Sequence, residues 1–598
     1  MPKTVKKVLK LLTTGDKKKL VLLLFINIIS SIVGLAGIAS VIPFVGLVSN
    51  PGFVFKNKYL FAIYHFFNFG NINEFIIFAG IAILLIFVFS NIILAFSAWF
   101  NISYTRSISY NLSRSLLRYY LTQQYEFFLK RNSSDLIKNI FSEVGMVITH
   151  VIKPGLDLLA KGLFSFFIAL FLVYVSPGVA FAVVAVLGGM YGLIYLFIRK
   201  KITKSGIVKV RTNRERFKYA YEVYGGIKDV KLLGKEQVYL DRYSKVALEF
   251  ETVQATVQVL TQMPKFALET IAFGGILLLV ISLFVVSGEI QNVLPLIALY
   301  TFAGYKLMPA IETIFKALAG IRGNIASLDL LYKEIENYKT YKTEEDEDHD
   351  NSRLPFKQRL ELNNITFAYK GMDIPVIDNM TLSIKANTTV GFVGATGCGK
   401  TTTIDIILGL LNPRTGGVLV DGVPVIKENL RSWQNQLGYV PQQIYLLDDS
   451  IIRNIAFGVS DDEIDTEAVV RAAGIANIQS FIENELPEGY KTIVGERGVR
   501  LSGGQRQRIG IARALYYDPA VLVFDEATSA LDNITEAAVM DAIDNIMGTK
   551  TIIIIAHRLT TVKKCDAIYF MEKGKVIAQG TYDELIESSE EFRKVAGE

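Results

Sequence analysis

The sequence predicts an α-helical membrane domain with six transmembrane helices, joined to an α/β P-loop domain. Three observations predict it. The chain has 598 residues, of which 51% are hydrophobic, a content too apolar for an ordinary soluble protein of this length. Six long apolar stretches fall before about residue 320. After residue 355 the apolar runs shorten to strand length, and one of them leads into a glycine-rich loop followed by a helix-like run.

In chain order, the leader Met1 to Lys19 carries seven lysines and one acid. It reads as a cytoplasmic flank rather than a cleaved signal, because the apolar run behind it is too long. The expected spans are Leu20 to Val48, Phe75 to Phe100, Leu156 to Val175, Gly178 to Ile198, Phe266 to Val286 and Val293 to Phe315. Each approaches or exceeds the roughly 20 residues that cross a hydrocarbon layer. Arg199 to Lys218 carries nine basic residues and one acid, whereas Ser176-Pro177 and the segment Ser287 to Gln291 carry no basic residue. The positive-inside rule therefore puts both termini in the cytoplasm. It also accounts for the net charge of +6 without a nucleic-acid partner. Two cysteines give no disulfide framework and suit a reducing compartment.

Polar segments of more than fifty residues, with apolar residues at helical spacing, separate spans two from three and four from five. They predict helices that continue out of the membrane as two cytoplasmic hairpins, with candidate docking tips at Tyr125 to Phe128 and Tyr221 to Gly226. The domain limits expected are 1–335 for the membrane part, 336–355 for an acidic linker containing Glu344 to Asp350, and 356–598 for the α/β part.

In the α/β part, Gly394-Ala395-Thr396-Gly397-Cys398-Gly399-Lys400-Thr401 follows the apolar run Thr389 to Val393 and precedes Thr402 to Leu411. In that setting it is a P-loop: glycines curl backbone N–H groups round phosphates, Lys400 reaches the β and γ phosphates, and Thr401 ligates Mg²⁺. Val521 to Phe524 reads as a doubly buried strand ending in Asp525-Glu526. Asp525 is placed to hold Mg²⁺ and Glu526 to polarise an attacking water. Between the two lies Leu501-Ser502-Gly503-Gly504-Gln505, opening a helix-like run.

P-loop, LSGGQ and acidic strand end in this order resemble the nucleotide-binding domain of ATP-binding cassette (ABC) proteins. The resemblance implies that Tyr369 stacks on adenine. It makes Gln442 the Q-loop residue and a metal ligand, Asp532 the D-loop residue and His557 the switch histidine. It also adds Thr402 and Gln505 to the nucleotide-binding set. Two such domains are implied to meet head to tail, each ATP lying between the P-loop of one and Ser502 and Gly504 of the other. Six spans, two hairpins and one cassette resemble an ABC exporter half-transporter, whose economical assembly is a homodimer in a bacterial inner membrane with the ATPase in the cytoplasm.

For the cargo, ionisable residues inside spans mark a pathway or cavity. Lys161, Lys265 and Lys306 are the candidates, and Lys306 has no acid three or four residues away. Lys265 can pair with Glu269, and Lys161 with Asp157. A cation in a cavity suits a phosphate or pyrophosphate group. The aromatic segment Ser49 to Glu74 can lie outside as an interfacial helix or serve only to anchor the ends of spans one and two. With Tyr305 to Pro309 and Gln442 to Leu446, it resembles bacterial flippases of lipid-linked oligosaccharides, the PglK type. That resemblance implies a polyprenyl-pyrophosphate glycan as cargo, although lysine stands where arginine would be favoured. A drug, lipid or peptide exporter shares every ATPase residue and is the alternative. A non-transporting ATP-gated regulator fits less well, because Glu526, Ser502 and His557 are all intact.

Overall fold

The computed structural model describes all residues except 1, 50, 176, 288–289, 343–351, 527–532, 557 and 597–598. The acidic stretch Glu344 to Asp350 of the expected linker thus lies outside the described residues. The chain divides into two compact units. One comprises Met1–Gln123 and Lys130–Asp346, the other Gln124–Leu129 and Glu347–Glu598.

Among its described residues the first unit forms helices joined by turns, with no strand. Thr13 caps the Thr14–Ala39 helix in a capping box with Asp16, which ties the entry of the first span. The helices Ile72–Leu121, Pro177–Gly225 and Glu236–Ser287 run for 50, 49 and 52 residues. At about 1.5 Å per residue each is more than twice the hydrocarbon thickness, so each predicted span continues well beyond it. Among the described residues, three helical stretches are long and apolar enough to cross a membrane: Thr14–Ser49, Ile72–Leu121 and Ser133–Val175. The other three expected spans fall on Pro177–Gly225, Glu236–Ser287 and Ile290–Gly323. Exposed Phe25, Ile81, Leu84, Phe89, Phe96 and Trp99 give the helices an apolar outer surface suited to lipid tails. Inside, Thr14–Ala39 packs on Ile72–Leu121 and on Lys153–Val175, and Lys153–Val175 packs on Ile290–Gly323.

The second unit is α/β with two sheets. Strands β1 (Arg359–Phe367), β2 (Ile377–Lys385), β4 (Thr415–Val420) and β5 (Val423–Pro424) form an antiparallel sheet in the order β2-β1-β4-β5. The other sheet has the order β10-β9-β3-β8-β7-β6, from β3 (Thr389–Gly394), β6 (Leu437–Val440), β7 (Val521–Asp525), β8 (Thr551–Ile555), β9 (Ala567–Glu572) and β10 (Lys575–Gly580). Strands β9, β3, β8, β7 and β6 run parallel; β10 is antiparallel to β9. Every residue of β7 and β8 is buried, as continuous apolar runs in a sheet covered on both faces should be. Parallel direction brings the carboxyl ends of β3, β6, β7 and β8 to one edge, where open α/β sheets bind ligands.

Candidate functional site

That edge gathers the predicted residues. The P-loop leaves β3 at Gly394, whose φ of 154° and tight surroundings exclude a side chain: a Cβ there would lie 2.2 Å from the Met571 carbonyl oxygen. Gly399, the residue before the Lys400–Ile407 helix, has φ 108°, and a Cβ would lie 2.6 Å from Ile377 Cδ1. Lys400 is buried and its ammonium donates to the carbonyls of Gly394 (2.7 Å) and Ala395 (3.2 Å), so the loop is closed on its own cation. Thr401 is exposed in the first turn, and Thr402 lies 3.2 Å from the Tyr369 hydroxyl. Tyr369 also packs edge-on to Phe367.

Two strands away, β7 ends at Asp525, which is buried and accepts from the Tyr439 hydroxyl at 3.3 Å. Glu526 follows with φ 50°, in the left-handed region that a non-glycine residue enters at a cost. Its amide donates to Ile555 of the neighbouring β8, and its carboxylate accepts from the Gln442 side-chain amide at 2.5 Å. Strain at this acid has no signal in the sequence. Asp405, one turn beyond the P-loop, was also missed: burial first, then the Asp525 charge, pushes its carboxyl up to about 6. It is an acid four residues after Thr401, which is the only hint the sequence offers.

The LSGGQ segment closes on itself. Ser502 caps the Gly503–Leu515 helix in a capping box, its Oγ accepting from the Gln505 amide (3.2 Å) while Gln505 Oε1 accepts from the Ser502 amide (2.8 Å). The Ser502 hydroxyl acts here as acceptor, which leaves its hydrogen to be donated elsewhere. Asp532 and His557 lie outside the described residues. The hairpin piece Gln124–Leu129 belongs to the nucleotide unit, and Glu126 accepts from the Lys370 amide at 3.2 Å, next to Tyr369. At the other candidate tip Tyr221 and Tyr224 are exposed, as are Leu232 and Leu233 just beyond it.

In the membrane unit, a cavity of about 580 Å³ opens among the Thr14–Ala39, Ile72–Leu121, Lys153–Val175 and Ile290–Gly323 helices. Lys161 and Lys306 both line it, together with Lys153 and Asp157. The Lys306 ammonium lies 5.0 Å from the Phe87 ring centre and 5.9 Å from that of Tyr305. Lys265 is not among the residues lining this cavity and sits 3.8 Å from Glu269, one turn along its own helix, the pairing that the sequence left open. The wall also holds an amide and hydroxyl seam that the sequence reading passed over, with Ser97 and Asn101 both donating to Asn27 Oδ1 (2.8 and 3.2 Å).

Residues 19–309 match the ABC transporter transmembrane region and residues 377–529 the ABC transporter domain. The heterocyst differentiation ATP-binding protein HepA of Nostoc sp. is 34% identical over 81% of this chain and 78% of its own length. The alpha-hemolysin translocation ATP-binding protein HlyB of Escherichia coli is 31% identical, over 85% and 71%. The ATP-dependent lipid A-core flippase of Alkalilimnicola ehrlichii is 29% identical, over 81% and 80%. Among solved structures, a bacterial Atm1-family ABC exporter with ATP bound superposes with TM-score 0.76 over 97% of this chain and 98% of that one, at 22% identity. The fold and the site define an ATP-hydrolysing, multi-pass membrane transporter. The chain belongs to the ABC transporter family and has the half-transporter form of its exporters, one membrane domain and one ATPase.

Proposed function

We propose that the chain is an ATP-driven flippase that moves a polyprenyl-pyrophosphate-linked oligosaccharide, or a similar anionic amphiphile, to the outer leaflet of a bacterial inner membrane. It works as a homodimer with its ATPase in the cytoplasm. The observation that carries this reading is the cavity, where among the described residues Lys153, Lys161 and Lys306 face a single acid, Asp157. Excess positive charge in a partly desolvated chamber favours a phosphate or pyrophosphate head group. A relative named for flipping a lipid A core supports an amphiphile with an anionic head.

In the ATPase, the glycine-shaped loop fits a phosphate chain and lets Lys400 trade loop carbonyls for phosphate oxygens. Thr401, Asp525 and the Gln442 carbonyl form an all-oxygen donor set suited to Mg²⁺, which when bound neutralises phosphate charge. Glu526 takes the proton of the attacking water, held ready by Gln442. Tyr369 stacks on adenine, Thr402 and Gln505 complete the nucleotide contacts, and the partner subunit's Ser502 and Gly504 donate to the γ phosphate. Asp532 and His557 retain the D-loop and switch roles that the family resemblance implies. Exposed apolar side chains at Tyr224 in the second tip, and at Leu232 and Leu233 just beyond it, support a second copy as their cover.

A drug, lipid or peptide exporter is the second reading, favoured by the aromatic walls Phe87, Phe164, Phe302 and Tyr305 and by a relative named for hemolysin translocation. Flipping of a labelled lipid-linked oligosaccharide in proteoliposomes, with ATPase measured on the same samples, separates the two. Lys306→Ala should lose flipping, and Lys306→Arg should keep much of it because charge is retained. Normal flipping by Lys306→Ala and Lys161→Ala alike would give the lead to the second reading.

A further inference from the structure

Two π-helical segments, Asn139–Glu143 and Ile148–Ile152, lie immediately before the Lys153–Val175 helix, with a single α-helical turn, Val144–Val147, between them. A π segment accommodates about one extra residue, and so turns everything after it by about 100° relative to an uninterrupted α-helix. The second segment has a cause in the sequence: Pro154 has no N–H to offer the His150 carbonyl four residues back. The first contains neither proline nor glycine.

What the first segment has instead is an ion pair. Lys138 Nζ lies 3.6 Å from Glu143 Oε1, with side chains only 2% and 0% exposed. The two residues are five apart. In an α-helix that spacing puts side chains about 140° apart, on different faces. In a π turn, closed by i to i+5 bonds, it brings them together. Glu143 Oε1 also accepts from Asn213 at 3.3 Å on the Pro177–Gly225 helix, and Asn139 donates to the Tyr120 hydroxyl at 3.0 Å. Glu143 Oε2 has no hydrogen-bond partner among the described residues, so this carboxylate is buried at a cost that its position must repay.

Downstream, Lys153, Asp157 and Lys161 are spaced by four, on one face of their helix, and all three line the cavity. We propose that Lys138 and Glu143 are a positioning pair for the cavity: their contact holds the Asn139–Glu143 segment in π form, and that form sets the rotation that turns Lys161 inward. The proposal rests on the reading of this cavity as the cargo path, but its test does not use cargo.

The test is thiol labelling of Lys161→Cys in the full-length protein by a membrane-impermeant reagent; both native cysteines are buried in the nucleotide unit. Deleting Phe141, which is 76% exposed, places Lys138 and Glu143 four apart. An α-helix then joins them, and the extra residue disappears without changing the rotation downstream. The deletion variant should keep Lys161→Cys labelling. The variant Lys138→Met with Glu143→Leu, which removes both members of the pair and leaves Glu251 as the remaining acid facing Lys209, should let the segment revert to α form and lose the labelling. The exchanged variant, Lys138→Glu with Glu143→Lys, should keep it. Labelling lost on Phe141 deletion in protein that still hydrolyses ATP, or retained in the Met/Leu variant, overturns the proposal. Labelling as expected with no oligosaccharide flipping in the parent protein would sink the cargo reading alone.

Discussion

Two lysines, one in each unit, hold their charge in opposite ways. Lys400 is bonded to two loop carbonyls at 2.7 and 3.2 Å, in a loop whose glycines admit no side chain at Gly394 or Gly399. Lys306 rests over the faces of Phe87 and Tyr305 on a cavity wall. Carbonyl lone pairs are directional, so Lys400 stands ready for one ligand geometry. Ring faces attract a cation over a broad range of positions, at about 0.5–2 kcal/mol, so Lys306 is held less directionally than Lys400, as the proposed cargo role requires. A transporter needs both kinds: a fixed site for a fuel that never changes and a forgiving one for cargo that must enter and leave.

The largest effect expected lies on the fixed side. Glu526→Gln should bind ATP and lower turnover by roughly 10²–10⁴-fold, because the amide accepts no proton from water. Phosphate release and nucleotide binding measured on one preparation check it. Near-normal release would remove Glu526 from the chemistry, and its left-handed backbone would then need another explanation.

Next, the lysines can be set against each other. Lys400→Ala should lose nucleotide binding and with it both ATPase and flipping. Lys306→Ala should keep basal ATPase within about twofold while losing flipping, if its role is the proposed one toward cargo. If the two variants lost ATPase equally, the division between fuel and cargo cations would collapse.

The nucleotide side was the more legible of the two in the sequence, and the reason is physical. A phosphate cradle needs backbone conformations that only glycine adopts, so Gly394, Gly397 and Gly399 had to appear at fixed spacing, and each does take a positive φ. The acidic end of β7 was likewise readable, because a strand buried on both faces writes itself as an unbroken apolar run. The cavity was only partly readable. Lys161 and Lys306 line one cavity from helices far apart in sequence, while Lys265, equally conspicuous in an apolar span, pairs within its own helix. Which lysine faces the cavity depends on helix rotation, and the π segments that shift it leave little trace in hydropathy. Glu526 strain and the Asp405–Asp525 repulsion arise from tertiary contact and have no linear signature.

Tyr369 gives a smaller and more divisible effect. Tyr369→Ala should weaken ATP affinity by about 1–3 kcal/mol if base stacking is lost. Tyr369→Phe should lose only the contact with Thr402, on the order of 1 kcal/mol or less. Equal losses in the two variants, read by nucleotide titration, would assign the residue to loop support and not to stacking.

The smallest effect concerns charge that the fixed site stores before its ligand arrives. Burial and the Asp525 charge raise the Asp405 carboxyl from the ordinary aspartate range to about 6. A carboxyl whose folded pKa lies above its unfolded value binds its proton more tightly in the folded state. Its ionisation therefore destabilises the fold above about pH 6, and the penalty shrinks as pH falls toward 4. Asp405→Asn should raise the Tm of the nucleotide-free protein at pH 7.5, through a gain in stability on the order of 1 kcal/mol once solvent screening of this half-buried group is allowed for. The advantage should narrow as the pH is lowered to 5. A divalent cation drawn to Asp525 would offset the same repulsion, so Mg²⁺ with nucleotide should narrow it too, at constant pH. A Tm difference that ignores both pH and Mg²⁺ would mean that Asp405→Asn acts through packing, and the nucleotide edge would then hold no stored charge for its metal to relieve.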